Sequence, residues 1–392
     1  MRCWSLLSTL SEEGHDVTLI CFGDLNECQS PAPGLSTLCR EVCMIPVPKT
    51  QSKVGDSWGR LRGLFSSMPF GAQRLRCKLM LDTVKCALDA QPFDTVICDD
   101  VYMLSNLPAR TKIPLLLNKH DITHEIMSRF LHFEKNPVKQ LYGYLEQRKV
   151  RRLEVDGCRN SAVVLACSER DGEEIRKLCP NTRISIVPNV VDVRNYHPAL
   201  EDDGRTSLFV GAMDWFPNRD AIEFFVNQIF PLIRRDAPAA EFIAAGRNPP
   251  RELIDRFSAV PGVKFTGTVP DMRPFLQQAG VCVVPLRIGS GTRLKILESA
   301  AAGKAIVSTR LGAEGLDFVD GQEILLADDP VSFAGCIVAL LRDPSRRRAM
   351  GEAACRRVRQ QYSCETLKVS LRRSLALLET PSHTARSLQV EF

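Results

Sequence analysis

Short apolar segments alternate with amphipathic segments of helical length along the whole chain, and this alternation constrains the fold more than any other feature. In the first half, the apolar runs predict strands at Val17–Phe22, Thr95–Cys98, Pro114–Asn118, Ala162–Ala166 and Ile184–Val187. Strands that alternate with helices form parallel sheets covered by helices on both faces. We therefore expect an α/β protein with doubly wound parallel sheets.

The same alternation restarts in the second half of the chain. It predicts strands at Ser207–Gly211, Glu241–Ala245, Val263–Thr266, Val281–Pro285, Ala305–Ser308 and Glu323–Leu326. The longest predicted helices there are Asp220–Arg235, Arg293–Ala302 and Pro330–Leu341. A chain of 392 residues exceeds the size at which one hydrophobic core stops growing, about 250–300 residues. Two similar α/β domains are expected.

A stretch rich in Pro, Asn and Asp marks the boundary between these halves. It predicts an N-terminal domain at 1–190, a linker at 191–206 and a second domain at 207–365, with a C-terminal helix and polar tail at 366–392. The carboxyl ends of the two sheets are expected to border a central cleft, where ligands of such folds bind.

The N-terminus begins with a predicted helix that carries Trp4, Leu6, Leu7 and Leu10 on one side and ends at Gly14. It lacks the basic region, long apolar core and cleavage site of a secretory signal. An α/β domain normally opens on a strand, so the first strand is expected to be missing from this sequence. No run approaches 18 uncharged apolar residues, which predicts no membrane-spanning helix.

Charge and cysteine content exclude several other classes of protein. The formal net charge of +5 is too small to indicate a nucleic-acid-binding protein. The 15 cysteines are an odd number without any CxxC pair, which favours reduced thiols over disulfides or a metal site. The sequence therefore predicts a cytoplasmic protein.

The strongest chemical signal is a strand, a Gly-Ser-Gly loop and a helix within residues 281–309, VCVVPLRIGSGTRLKILESAAAGKAIVST. Gly289 and Gly291 let the backbone approach a ligand, and the helix N-terminus presents free N–H groups. Arg293 and Lys295 are cations where the helix dipole disfavours them, so they indicate a bound anion. Glu298 lies one turn further along and can accept hydrogen bonds from sugar hydroxyls. The alternative is a solvated helix start.

These segments resemble family 4 glycosyltransferases, retaining enzymes of the GT-B fold with two Rossmann-like domains. In the second half the resemblance is carried by LFVGAMDWFPNRDAIEFF (208–225), AEFIAAGRNP (240–249), VKFTGTVPDMRPFLQQAGVCVVPL (263–286), GSGTRLKILESAAAGKAIVST (289–309) and GAEGL (312–316). In the first half it is carried by LLSTLSEEGHDVTLICF (6–22), NKHDITHEIMSR (118–129), ACSERDGEEI and VPNVVD (187–192). The likeness is to bacterial polysaccharide and sugar transferases.

The resemblance implies roles for particular residues. Arg293 and Lys295 would neutralise the diphosphate of a nucleotide-sugar donor, Glu298 would bind the ribose, and His120 would face the transferred sugar and the donor phosphates. The remaining implied donor-site residues are Gly211, Gly267, Thr268, Val269, Gly289, Ser290, Gly291 and Thr292. For His120, the alternative is a loop residue that only satisfies neighbouring backbone groups. No metal and no cofactor are implied.

Three positions depart from the family pattern. Ser290 stands where the first Glu of the E-x7-E motif belongs, Thr123 replaces the last residue of H-N-x-E, and the first strand with its glycine-rich turn is absent. The acidic pairs Asp99-Asp100 and Asp202-Asp203 do not match a D-x-D metal motif and are expected to be solvated. These departures leave two alternatives to transfer: a non-catalytic nucleotide-sugar-binding or partner subunit, and a nucleotide-sugar epimerase of the same fold.

Residues 58–85 carry six basic side chains and one acidic one, with Trp58, Leu61, Leu64 and Phe65 among them. Such a segment can lie on an anionic membrane beside a lipid-linked acceptor. The alternative is a solvated helix face packed on the N-terminal domain. The expected partners are therefore a nucleotide-sugar donor, a sugar or lipid-linked acceptor and the inner face of a membrane.

Overall fold

A computed structural model describes residues 2–24, 27–28, 34–48, 63–109, 111–198 and 202–379. The chain divides into two compact units, residues 1–188 with 367–392 and residues 189–366. The segment 191–206 that the sequence predicted as a linker therefore belongs to the second unit, and the C-terminal helix belongs to the first. The predicted polar tail, from residue 380 onward, lies outside the described residues.

The first unit contains two parallel sheets. Its elements in chain order are α1 (Arg2–Glu12), β1 (Thr18–Gly23), α2 (Leu35–Leu38), β2 (Glu41–Pro46), α3 (Phe70–Leu75), α4 (Lys78–Ala90), β3 (Val96–Asp99), a 3₁₀ helix (Val101–Asn106), β4 (Leu115–Asn118), α5 (Thr123–Phe133), α6 (Pro137–Asn160), β5 (Val163–Ala166), α7 (Glu169–Leu178) and β6 (Ile184–Ile186). One sheet pairs β1 with β2, and the other has the order β3-β4-β5-β6.

Local signals account for several of these elements. Ser168 caps α7: its Oγ accepts a hydrogen bond from the Asp171 amide at 3.1 Å and donates one to the Asp171 carboxylate at 2.8 Å. In α1, Leu6 and Leu10 are buried, but Trp4 is 45% exposed, so the predicted apolar side of this helix is only partly covered. The strand β2 was not predicted. Only the middle residues of β2 are apolar, so the segment gives a weak strand signal by itself. It becomes a strand by pairing with β1, which lies elsewhere in the sequence.

The second unit contains one six-stranded parallel sheet. Its elements are a 3₁₀ helix (Val193–Asn195), β7 (Thr206–Val210), α8 (Phe216–Phe224), a π-helical turn (Phe225–Ile229), α9 (Phe230–Asp236), β8 (Glu241–Ala245), α10 (Arg251–Phe257), β9 (Val263–Phe265), α11 (Arg273–Gln278), β10 (Val281–Val284), α12 (Leu294–Ala301), β11 (Ala305–Ser308), β12 (Leu325–Leu326), α13 (Pro330–Arg342), α14 (Pro344–Gln361) and the start of α15 (Cys364–Glu379). The strand order is β12-β11-β10-β7-β8-β9.

The helix predicted at Asp220–Arg235 is interrupted in the structure. Pro231 has no N–H group to continue the α-helical ladder, and the chain passes through the π-helical turn before α9 begins. This turn carries Phe225 into the core, where its ring lies 4.3 Å from that of Phe242. The interruption of the α-helical hydrogen-bond pattern therefore coincides with the burial of aromatic rings.

All fifteen cysteines are free thiols. Cys98 and Cys282 lie in strands β3 and β10 and are buried, which raises the pKa of each thiol above its usual value. Buried thiols of this kind act as small apolar side chains. Within the described ranges, no helix is both long enough and apolar enough to cross a bilayer.

Candidate functional site

In the second unit, the chain reverses its direction of winding at strand β7. Counted in chain order from β7, the sheet has the order 3-2-1-4-5-6 when read from the β9 edge, so β7 separates β8 and β9 from β10, β11 and β12. Connections leave β7 and β10 in opposite directions, which opens a crevice beyond their carboxyl ends. Gly211 follows β7, and the loop that leads to α12 follows β10. The sequence-predicted donor residues therefore meet at this crevice.

Two glycines form the floor of the crevice by close contact of their backbones. Gly246, directly after β8, has a φ of +151°, and a Cβ there would lie 2.0 Å from the carbonyl oxygen of Gly211. The Gly211 amide donates to the carbonyl of Ala245 at 3.0 Å. Gly211 itself has no space for a side chain, since a Cβ would lie 2.9 Å from Lys295 Nζ.

The ammonium group of Lys295 occupies this space. Its Nζ donates to Asn218 Oδ1 at 2.8 Å and lies 4.0 Å from the centre of the Phe209 ring. Burial and the neighbouring Arg293 lower the pKa of Lys295 to about 7, although Glu298 acts in the opposite direction. A half-buried cation without a carboxylate bonded to it is costly unless an anion joins it. The environment of Lys295 therefore favours an anion beside it.

Arg293 also bonds the loop that precedes α12, a contact that the sequence did not predict. It is the residue before α12, and its guanidinium donates to the carbonyl oxygens of Ser290 and Gly291. These hydrogen bonds fix the conformation of the loop, and the positive charge of Arg293 remains at the start of α12. Thr292 Oγ1 accepts from Asn189 Nδ2 at 2.6 Å, which fixes the same loop from a second side.

Glu298 lies one turn into α12, where burial raises the pKa of its carboxyl group. Tyr196 donates its hydroxyl to Glu298 Oε1 at 3.4 Å, a long contact that leaves acceptor capacity on the carboxylate. The predicted base-binding residues Gly267, Thr268 and Val269 follow β9, so they lie at the same carboxyl edge of the sheet.

In the first unit, His120 belongs to a group of polar side chains at the carboxyl ends of β3 and β4. Its Nε2 lies 2.9 Å from Asp99 Oδ1, and Cys3 donates its thiol to Asp99 Oδ2 at 2.8 Å. Asn118 also donates to Asp99, and buried Arg2 in turn donates to Asn118 Oδ1 at 2.7 and 3.0 Å. The interpretation of His120 as a simple loop residue is therefore incomplete, since the histidine is held by a carboxylate.

This environment determines the charge of His120. Burial alone lowers the pKa of the imidazole, but the hydrogen bonds and charges of Asp99 and Cys3 together outweigh it and raise the pKa to about 10. Burial raises the pKa of Asp99, but the hydrogen bond and charge of His120, with the hydrogen bonds from Cys3 and Asn118, together outweigh it and lower that pKa to about 2. At neutral pH, the pair is an imidazolium and a carboxylate, so His120 acts as a cationic hydrogen-bond donor.

The expectation that both acidic pairs are solvated was wrong. Asp99 holds His120, whereas Asp202 forms a 2.6 Å ion pair with Arg347 and Asp203 accepts from the amide of Thr206 at 2.9 Å. The partners of Asp99 and Asp202 lie far away in sequence, so no local pattern indicates them.

Within the described ranges, the thiol of Cys3 and the side chains of Asp99 and His120 are the group whose ligand atoms lie close enough to hold a metal ion, all within 4.8 Å of one another.

A second carboxylate near His120 was also missed. Glu154 of α6 is buried and bonds Lys119 Nζ at 2.6 Å and His124 Nδ1 at 2.6 Å. It also accepts the amides of Thr123 and His124, at 2.9 and 3.2 Å. A carboxylate thus lies against Thr123, the position where the sequence departs from the family pattern. The sequence signal was the presence of two glutamates, Glu146 and Glu154, that are buried in a strongly basic helix.

Comparison with known proteins identifies the family. The family model described as Glycosyltransferase Family 4 matches residues 2–195, and the model described as Glycosyl transferases group 1 matches residues 204–343. The chain is a family 4 glycosyltransferase. As a glycosyltransferase it transfers sugar in glycan synthesis, and this favours transfer over the epimerase and the non-catalytic subunit.

Relatives and solved structures agree with this assignment. The glycosyltransferase is 22% identical to an uncharacterized 44.6 kDa protein in the cps region of Klebsiella pneumoniae, over 93% of this chain and 92% of that protein. It is 26% identical to the lipopolysaccharide core biosynthesis mannosyltransferase LpcC of Rhizobium leguminosarum, over 60% of this chain and 70% of that protein.

Two solved structures show the GT-B fold. Sucrose-phosphate synthase of Thermosynechococcus elongatus matches with a TM-score of 0.73 and 17% identity, over 96% of this chain and 92% of that one. Anabaena HepE, solved with UDP and glucose, matches with a TM-score of 0.64 and 13% identity, over 95% of each chain. The predicted pair of Rossmann-like parallel-sheet domains is confirmed.

The close contact at Gly211 leads to a first prediction for this glycosyltransferase. In Gly211→Ala, the added methyl group displaces Lys295 Nζ and the Asn218 amide, which would lie 2.9 and 2.8 Å from it. We expect kcat/KM for sugar transfer to fall about 10²-fold, as for other small displacements of a positioned group. Gly335→Ala in α13 is the control, because a Cβ there meets nothing within 4 Å. Equal activity in both variants would contradict the placement of Lys295 at the reaction.

Proposed function

We propose that this enzyme transfers a sugar from a nucleotide diphosphate-sugar to an acceptor hydroxyl and keeps the anomeric configuration. One observation carries the proposal: the Lys295 ammonium and the start of α12 lie together at the crevice beside β7, and Glu298 lies one turn further in. Cationic and N–H donors suit a diphosphate, and a carboxylate suits ribose hydroxyls.

The chemistry follows from the charges. When the bond between the sugar and the diphosphate breaks, negative charge develops on the leaving diphosphate. Lys295, Arg293 and the α12 N-terminus stabilise that charge where it forms, and fixed donors of this kind contribute about 2.7–4 kcal/mol each. His120 carries positive charge at neutral pH and donates a hydrogen bond, the role that the family resemblance implies toward the transferred sugar. We assign no enzymic nucleophile, in keeping with retention by front-face attack.

The relatives support the substrate class. HepE was solved with UDP and glucose, and LpcC is a mannosyltransferase of lipopolysaccharide core biosynthesis. For this enzyme we propose a nucleotide-sugar donor and a sugar or lipid-linked acceptor. Contact of residues 58–85 with an anionic membrane is part of this proposal. Residues 58–62 lie outside the described part of the chain, while Met80 and Val84 pack into the core and Phe65 is 91% exposed.

Binding of the donor is tested by thermal unfolding with UDP, GDP, ADP and their sugars. A nucleotide that binds the folded protein stabilises it and so raises the melting temperature. At a nucleotide concentration one hundred times Kd, the free energy of unfolding increases by about 2.7 kcal/mol. We expect one base to give the larger shift. Transfer is then assayed with the matching nucleotide-sugar, and the configuration of the product is determined by NMR. A folded sample that responds to no nucleotide, or a product with inverted configuration, contradicts the proposal.

We also propose that transfer needs no metal ion or other cofactor, because Lys295, Arg293 and a helix N-terminus supply the positive charge. Excess EDTA is therefore expected to leave kcat/KM unchanged, and added Mg²⁺ is expected not to raise it. The control is an assay at matched ionic strength, since salt weakens charge–charge attraction by itself. Loss of activity on chelation, restored by one divalent cation, would show that a metal takes part.

A further inference from the structure

In the part of the chain that the structure describes, the first half of helix α6 carries an exposed apolar surface. Val138, Leu141, Tyr144 and Leu145 are 76%, 64%, 48% and 37% exposed, respectively. Their spacing of three and four residues places them along one face of the helix. On the opposite face of α6, Glu146 and Val150 are buried. The helix therefore packs against the unit through that face and not through the apolar one.

Positive charge continues the same face. Arg148, Arg151 and Arg152 are exposed and follow Leu141 and Leu145 at helical spacing, and Lys135 and Lys139 lie exposed at the start of the helix. Arg148 lies 4.7 Å from the centre of the Tyr144 ring, which joins the cationic and apolar parts. The one acidic residue between 135 and 152 is Glu146, which is buried and paired with Lys149 at 2.8 Å.

A neighbouring loop adds to this surface. The Gly63 carbonyl accepts from Lys149 Nζ at 2.7 Å, and Phe70 N donates to Glu146 Oε2 at 2.7 Å, so the segment from 63 to 70 lies beside α6. Phe65 in that segment is almost fully exposed. Two separate parts of the first unit thus expose apolar side chains.

We propose that this face, formed by the exposed residues of 135–152, binds the surface of an anionic lipid bilayer. The apolar side chains enter the boundary between headgroups and acyl chains, and the lysines and arginines contact lipid phosphates. A helix with an apolar stripe flanked by Lys and Arg suits such a boundary, because both parts find partners there. A protein partner is a poorer fit, since the cores of protein interfaces are depleted in charge. The inference does not depend on the sugar-transfer proposal.

The test is sedimentation of the full chain with vesicles of phosphatidylcholine, with and without phosphatidylglycerol. We expect binding to the anionic vesicles and little to the neutral ones. The double variant Leu141→Gln/Leu145→Gln is expected to lose about 10²-fold or more in partition coefficient, from two lost leucine insertions. The matched control is Val319→Gln/Val331→Gln in the second unit, where both valines are also exposed.

Further variants decide whether α6 itself contacts the bilayer. Arg148→Gln/Arg151→Gln/Arg152→Gln should weaken binding to anionic vesicles and remove its salt dependence, with circular dichroism unchanged. If only Phe65→Ser abolishes binding, the segment 63–70 is the membrane contact and α6 is not. If the wild type is a dimer that Leu141→Gln/Leu145→Gln makes monomeric without effect on vesicle binding, the face is a self-association surface. Either of these last two results overturns the proposal, and neither depends on transfer activity.

Discussion

Lys295→Met is expected to lower turnover by about 10²–10³-fold, the loss usual for one preorganised donor at a developing charge. The same variant is expected to melt at pH 7 no lower than the wild type. Methionine keeps an apolar chain over the Phe209 ring but removes a half-buried cation. The loss of activity therefore comes without a loss of stability, as for a residue kept for function.

The pH dependence of this stability follows from the lowered pKa of Lys295. Its value of about 7 in the folded protein lies below the usual value of about 10.4 for an unfolded chain. The charged form is thus disfavoured by folding, and this cost is complete below pH 7 and disappears as the pH rises toward about 10.4. The relative stability of the methionine variant should be greatest at or below about pH 7 and smaller at about pH 10. Donor binding should take up a proton near pH 8.

The measurements are initial rates and melting curves at pH 7 and 10, with calorimetry in two buffers of different ionisation enthalpy to count protons. Lys304→Met is the matched control. Lys304 is also a buried lysine, but its Nζ bonds the Gln277 carbonyl at 2.6 Å and lies away from the crevice. We expect the control to lose stability and to keep its KM for the donor. Equal loss of stability in Lys295→Met and Lys304→Met would mean that Lys295 is structural.

The second large effect is expected at His120. His120→Gln should lower kcat by about 10²–10⁴-fold, the range for a positioned proton or hydrogen-bond donor. Glutamine preserves a polar side chain of similar reach but carries no charge. If the variant stayed within a few-fold of the wild type, His120 would be a loop residue without a part in transfer.

Asp99→Asn tests the cause of that effect through pH. In the wild type, the imidazolium persists until the pH rises through about 10 and Asp99 stays ionised down to about pH 2. The contribution of the imidazolium to activity is therefore level from about pH 6 to 9, whereas the contribution of Lys295, whose pKa is about 7, falls within that range. Without the carboxylate, the hydrogen bond and the charge of Asp99 no longer raise the pKa of His120, and burial, which is the largest single influence, lowers it. The variant should then lose activity as the pH rises through about 6 to 7 and regain it on acidification.

Asp100→Asn is the control for this profile. Asp100 is the neighbouring carboxylate, but its side chain caps the amide of Tyr102 at 2.8 Å instead of bonding His120. We expect its pH profile to match that of the wild type. A pH profile for Asp99→Asn that also matches the wild type would refute a charged His120 in the reaction.

Much of the donor site could be predicted from local sequence because its chemistry is local. The strand, loop and helix of residues 281–309 occur in the structure in the predicted order, and Arg293, Lys295 and Glu298 follow from the helix start. The sequence did not predict the hydrogen bonds from Arg293 to the loop carbonyls, because these bonds depend on the conformation of the loop. The surroundings of Lys295 could not be predicted at all, because they depend on Asn218 and Phe209 from other elements.

The first unit was harder to predict. Cys3, Asp99, Asn118 and His120 are separated by up to 117 positions in sequence and meet because β3 and β4 are in register at Asp99 and Asn118. Glu154 contacts the Thr123 amide from α6, although the two residues are 31 positions apart in sequence. In each of these contacts, the residues next to either side chain in the sequence do not indicate its partner.

The sequence by itself determined the α/β class, most of the order of strands and helices, and the type of chemistry, because periodicity, caps and glycine loops act over a few residues. The tertiary structure alone decided the protonation of His120, the lowered pKa of Lys295 and the exposed apolar face of α6. These three properties depend on burial and on the distance to groups far away in sequence, which exist only once the chain has folded.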